Sequence, residues 1–311
     1  MRAQAVLLLL LLLAIIASLL TGEVHGWNWS VIVHIRLPRL LVGVVVGAAL
    51  ATAGAVYQGL LRNPLADPYI LGNSSAGTFG ALLATILNFH FTYTLYIFSI
   101  GASFLSMFLV YRLATTNGRT PIQTLILAGV VSSTFFSALV LLLFTLFRRE
   151  SFSVLFFMLG SLAIGRASNL ILVSGVLVFV GLLISTYLAR DIDALSSGEE
   201  DALHLGIPIE RVKQVLFFSS SLLVGASVAL AGSIGFVGLI VPHILRLLLG
   251  PAHRRLIMGS AVGGAFFLVT MDLLARTLFS PLEVPVGVFT SLCGAPFFIY
   301  LLKRKQREVI F

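Results

Sequence analysis

The chain has 311 residues, of which 59% are hydrophobic and only 10% charged, with a formal net charge of +8. Ordinary soluble domains carry roughly 25% charged residues, and one water-soluble core cannot hide this much apolar surface, so the solvent for most of it is lipid. In such a chain a Lys and Arg excess reads as basic cytoplasmic loops and not as a nucleic-acid surface, and the single cysteine, Cys293 in an apolar segment, excludes an intramolecular disulfide and reads as a small packing residue.

A span needs about 20 largely apolar residues. Ten such blocks are predicted, at 4–21, 38–60, 69–88, 92–113, 121–147, 168–189, 212–231, 236–250, 256–279 and 286–302. The expected fold is therefore an all-α, polytopic transmembrane helical bundle, a single domain over 1–311. The first block, MRAQAVLLLLLLLAIIASLLTG, reads as an uncleaved span, because its apolar run exceeds a signal-peptide core and no A-x-A site follows.

RLPR at 36–39 sets two arginines three apart where the second span begins. They are either interface anchors or a docking point for an acidic partner. GAALATAG at 47–54 and GASVALAG at 225–232 agree at five of eight positions, with Pro64 and Pro242 at the same offset. The two copies run in opposite directions on the ten-span map, as an inverted repeat would, although small-residue runs also recur for close helix packing. In RNPLADPYILGNSSAG (62–77), Pro64 and Pro68 forbid a continuous helix. Broken backbone of this kind is either a tight cytoplasmic turn or a constriction at the mouth of a path.

The longest polar loop covers about 190–211 and contains SGEEDALHLG (197–206). Ser197 and Glu200 have capping-box spacing, and Glu199, Glu200 and Asp201 suit the first turn of a helix, where the dipole favours negative charge. Gly206 followed by Pro208 is a stop signal, so a helix of about two turns is predicted. Leu203, Leu205 and Ile207 then give it an apolar face that fits a partner's groove. Further on, Pro242 within GSIGFVGLIVPHILR (232–246) predicts a kinked or split helix. Asp272 and Arg276, four apart on the ninth span, can pair with each other. The basic run KRKQRE (303–308) puts the C-terminus in the cytoplasm, and an even number of spans puts the N-terminus there too. Arg148, Arg149 and Arg166 fall on the outer side of this map.

No enzyme constellation is present. The chain has no G-x-x-x-x-G-K-[ST] phosphate loop, no G-x-S-x-G and no H-E-x-x-H, and its six histidines lack metal-ligand spacing. It is not expected to hydrolyse ATP, or to hold a cofactor or metal directly.

Taken in order, RLPR, GAALATAGAVYQGLLRNPLADPYILG, LAGVVSSTFFSAL (127–139), GEEDALHLG, GFVGLIVPHILRLLLGPAHRRL and DLLARTLFSPLEVPVGVFTSLCGAPFFIYLLKR resemble the permeases of ABC importers for iron-siderophores, haem and vitamin B12. The resemblance runs from about residue 36 to 304. It implies a homodimer of ten-span permeases in a bacterial or archaeal plasma membrane, with no nucleic-acid partner. Two cytoplasmic ATPase subunits would use ATP and Mg, and a periplasmic or lipid-anchored binding protein would deliver substrate. It also implies that Glu199, Glu200, Asp201, Leu203, Leu205 and Gly206 form the ATPase-coupling helix, and that Arg36, Arg39 and Arg276 receive the binding protein. Asn63, Pro64 and Leu65 match a cytoplasmic gate. A second gate stretch aligns with Pro121 and Ile122, where the residues depart from the B12 type. The alternative is a stand-alone secondary transporter built on the inverted repeat, which would need an acid or base inside the membrane to couple an ion.

Overall fold

The computed structural model describes residues 2–21, 28–87, 93–147, 157–162, 168–280 and 282–309. Arg148, Arg149 and Arg166 lie outside them. Among the described residues the chain is all-helical, with one isolated bridge pairing Thr116 with Arg119.

Helix α1 covers Arg2–Leu20, and α2 runs unbroken over Trp29–Leu60. A 3-10 turn at Pro68–Leu71 leads into α3 (Asn73–Ile86), followed by α4 (Thr94–Ala114), α5 (Ile122–Leu146) and α6 (Ser168–Tyr187). Two short helices, α7 (Ala189–Ser197) and α8 (Glu199–His204), fill the polar loop. The chain ends with α9 (Ile209–Ala231), α10 (Val237–Leu249), α11 (His253–Thr277) and α12 (Val286–Val309). Six of these, α2, α4, α5, α6, α9 and α11, are long and apolar enough to cross a membrane.

Side-chain size decides which helices lie at the centre. The apolar stretches of α2 and α9 are each 78% buried within the protomer, against 22% for α5. The two repeat-like octets sit in α2 and α9, where small residues let backbones touch. A Cβ on Gly47 would strike the carbonyl of Gly264 in α11, and one on Gly54 would strike that of Gly238 in α10. Phe-rich α5 makes such an approach at Gly129, against the backbone of Ile70 and Leu71, and its Leu127, Val131, Phe135 and Leu141 point outward.

Several expectations need correction. The second span starts at Trp29, not at residue 38, so RLPR lies inside a helix. Pro38 cannot donate a hydrogen bond, and the wider π-helical turn at Ile32–Arg36 just before it accommodates that loss. Pro242 lies within continuous helix α10, and the break falls upstream at 232–236, where Gly232 and Phe236 take left-handed backbone. Pro64, at the matching offset, sits in a turn. KRKQRE does not end a helix, because α12 continues to Val309. Cys293 is exposed on a thinly covered face of α12 and does not pack.

Candidate functional site

Polar side chains gather at three places along the bundle: its two ends and a layer where helices break. At one end the three arginines expected to dock a partner lie close together, but they point inward. Arg39 grips the Asp272 carboxylate with Nε at 3.0 and 3.1 Å and Nη2 at 2.9 Å, and its Nη1 reaches Glu283 at 2.9 Å. Arg276 lies 3.8 Å from the same carboxylate and donates to the Ser18 carbonyl and hydroxyl at 2.6 and 2.8 Å. Arg36 donates to the Leu19 carbonyl at 2.7 Å. These acceptors close the end of α1, since the last carbonyls of a helix have no partner within it. Arg36 and Arg276 are both 5% exposed, so the group open to solvent here is the Glu283 carboxylate.

The second place joins two interruptions far apart in sequence. Asp67 caps the 3-10 turn by accepting from the Tyr69 N–H at 2.8 Å, and it also accepts from the backbone N–H of Phe236. The Tyr69 hydroxyl accepts from the Ile234 N–H at 3.0 Å, and the hydroxyls of Ser74 and Ser233 meet at 2.8 Å. Broken helix leaves orphan backbone donors, and each break here satisfies those of the other. Phe236, with φ at +69°, is held in a strained conformation by this exchange. Burial pushes the Asp67 carboxyl up to about 6, against the two backbone N–H groups that favour its charged form. Next to this layer Gln58, fully buried, donates to the Gly238 and Leu239 carbonyls and accepts from Arg246 at 3.2 Å.

The opposite end carries the polar loop. Helix α7 is tied to the body twice. The Asp193 carboxylate accepts from the His253 N–H at 2.9 Å and meets its Nδ1 at 2.6 Å, and the Ser196 hydroxyl donates to the Gly59 carbonyl at 3.3 Å. Helix α8 has the expected acidic first turn and ends as predicted. Gly206, with φ at +76°, lets its N–H reach the Leu203 carbonyl at 2.9 Å and that of Ile207 reach Ala202 at 3.1 Å, a Schellman closure. The capping box does not form. Ser197 closes α7, its hydroxyl turning to the Asp193 carbonyl, and Gly198 precedes α8 with no side-chain cap. A second short helix occupies the register that the box would need. Ala202 is buried against the body, while Leu203 and Leu205 are 60% and 71% exposed. Ile207 packs inward instead.

Asn63 makes a tight turn, its side chain accepting from the Leu65 N–H at 3.0 Å. Arg62, the residue before Asn63, and the start of α5 line one cavity of about 550 Å³, together with Glu199 and Glu200 among others. Of the expected gate residues, Pro121 and Ile122 line this cavity beside α8, while Asn63, Pro64 and Leu65 do not. Among the described residues no cluster of His, Cys, Asp or Glu is arranged to hold a metal ion.

A family model described as the FecCD transport family matches residues 6–304. The chain belongs to that family. The cobalamin import system permease protein BtuC of Halobacterium salinarum is 42% identical over 272 residues, covering 88% of this chain and 73% of that protein. The hemin transport system permease protein HmuU of Yersinia pestis is 38% identical over 287 residues, covering 90% and 85%. A solved metal-chelate type ABC transporter in an inward-facing conformation superposes with a TM-score of 0.90 at 34% identity, covering 97% of this chain and 99% of that one.

Sequence reasoning missed Gln58, Asp67, Tyr69, Asp193, Lys213, Ser233 and His253. For Gln58 the available signal was a polar side chain alone in an apolar run, AVYQGLL. Its partners lie many residues away and leave no local trace.

Proposed function

We propose that the chain is the membrane-spanning permease of an ATP-driven importer that moves an iron chelate, haem or cobalamin inward from a binding protein. The observation that carries this reading is α8. It is a short helix outside the spans, anchored through Ala202 and the α7 ties, that presents Leu203 and Leu205 to solvent. Exposed leucines on an anchored helix fit a groove on a partner, and in an ABC importer that partner is the ATPase. An ion-coupled carrier would need an acid free to bind and release its ion. Among the described spans the acids are Asp272, held by Arg39 and Arg276, and Glu210, held by Lys213.

In this reading two copies form the permease, two ATPase subunits sit under α8, and the Arg39 end faces outward to a periplasmic or lipid-anchored binding protein. Ten spans follow if α1, α3, α10 and α12 also cross, which leaves both termini in the cytoplasm. The two small-residue octets, on the central helices α2 and α9, support an inverted repeat. Asn63, Pro64 and Leu65 act as the cytoplasmic gate. Arg36 and Arg276 shape the docking face from within, and an acidic residue of the binding protein reaches Arg39 by displacing Glu283.

Co-expression with candidate ATPase subunits tests the central claim. The wild-type chain is expected to copurify with an ATPase, and Leu205→Asp to release it while the chain stays folded. A Leu205→Asp complex that survives purification would refute the role of α8. Transport by the purified chain under an ion gradient, with no ATPase or ATP, would refute the importer reading.

A further inference from the structure

We propose that Lys213 is the strut that carries movement of α8 to the first residues of α5; this rests on the importer reading above. Lys213 is 4% exposed, one turn into α9, although its neighbours Arg211 and Gln214 face solvent. An ammonium buried in this way persists only when its donors are matched with acceptors. It has three N–H donors, and three acceptors surround it: Glu199 Oε1 at 2.9 Å, Glu210 Oε1 at 3.2 Å and the Thr120 carbonyl at 3.0 Å.

Those acceptors belong to three different elements. Glu199 opens α8, Glu210 lies in the first turn of α9, and Thr120 directly precedes Pro121, the residue before α5. The segment that ends at Thr120 is itself braced. Its hydroxyl meets that of Thr115 at 2.9 Å, and Thr116 and Arg119 exchange backbone hydrogen bonds at 2.9 and 3.1 Å. A pull on the Thr120 carbonyl is therefore passed to Pro121 and Ile122 and is not absorbed by slack loop.

Packing alone would not transmit that pull. Glu199 and Glu200 form one part of the wall of the 550 Å³ cavity and Arg119 to Gln123 another, so α8 and the start of α5 both border open space. Lys213 reaches both parts. Its charge-assisted hydrogen bonds are short and directional, which suits them to hold two bodies at fixed spacing across a gap. Lys213 is thus a positioning residue: it touches neither substrate nor nucleotide, and it makes the gate move with the ATPase grip.

The test is a distance between these two parts of the wall in the complex with the partner ATPase, in lipid nanodiscs. Spin labels are placed at Glu200→Cys and Gln123→Cys in a Cys293→Ser background, and spectra are taken without nucleotide and with Mg-ATP and vanadate. The strut predicts one narrow distance distribution that is the same in both states. In Lys213→Met the width is expected to at least double when nucleotide is added, and Glu199→Gln should broaden it in the same direction but less. A wild-type distance that shifts with nucleotide overturns the proposal, as do wild-type widths in both variants. Because Glu199 is a third exposed, Glu199→Gln decides the question if Lys213→Met does not fold. A wild-type chain that copurifies with no ATPase removes the importer reading, and the strut with it.

Discussion

The two ends of the bundle both bury charge, and they use it differently. At the Arg39 end one carboxylate, Asp272, answers two guanidinium groups, while Arg36 and Arg276 also close on the carbonyls of α1 and Arg39 reaches Glu283. These bonds join spans to one another and seal the end. At the Lys213 end the buried cation reaches a loop helix, a span and the segment before another span, and beyond it two leucines stand in solvent. Here charge joins spans to loops, and apolar surface is left for something else to cover. Buried ion pairs add little net stability compared with apolar packing, but breaking one by removing a partner is expensive. The first end should therefore respond to mutation as a structural unit, and the second as a mechanical one.

The largest effect expected from that contrast is at Asp272. Asp272→Ala would leave Arg39 and Arg276 facing each other without the carboxylate between them, at a cost of roughly 3–5 kcal/mol. The thermal unfolding midpoint of the detergent-solubilised chain should fall sharply, and a loss below about 1 kcal/mol would erase the distinction between the ends.

A smaller effect comes from the layer between the breaks. The Asp67 carboxyl is raised to about 6 in the fold, above its ordinary value near 4, so the folded chain binds its proton more tightly than the unfolded chain does. The sign follows: its contribution is fully present below about pH 4 and is lost as pH rises through about 6, a decline of about 3 kcal/mol. Asp67→Asn keeps an oxygen for the Tyr69 N–H and has no proton to lose, so the decline between pH 4 and 7 should flatten. Unfolding midpoints measured across that range in both proteins check it, and an equally steep profile in the variant would move the titration elsewhere.

What could be read from sequence was what local physics dictates. Apolar blocks located most helices to within a few residues, missing the early start of α2 at Trp29 and the extension of α12 to Val309, and Gly206 with Pro208 ended α8 where expected. What failed involved competition or distance. The capping box at Ser197 lost to a second helix that claimed the same residue, and Pro242 drew attention from the break that Gly232 and Phe236 make upstream. The Asp272–Arg276 pairing was legible because the two lie four apart on one helix. The closer partner, Arg39, stands 233 residues away and could be reached only through the fold. The docking arginines illustrate the same limit, since spacing placed them at a helix end but only packing decided that they face inward.

The smallest effect is the most discriminating for that end. Glu283 is the exposed member of the Arg39 network, and an exposed pair contributes about 0–1 kcal/mol to stability. Glu283→Gln should therefore leave the unfolding midpoint nearly unchanged, because Asp272 still holds the guanidinium from the other side. If an acidic residue of a binding protein competes for Arg39, removing the internal competitor should tighten that complex severalfold, with a stronger dependence on salt because the pair across the interface then forms without breaking the internal one. Affinity measured at two ionic strengths separates the cases. An unchanged affinity and salt slope would mean that the Arg39 end is only a clamp between spans, and the binding protein's foothold would then have to be sought on another part of that face.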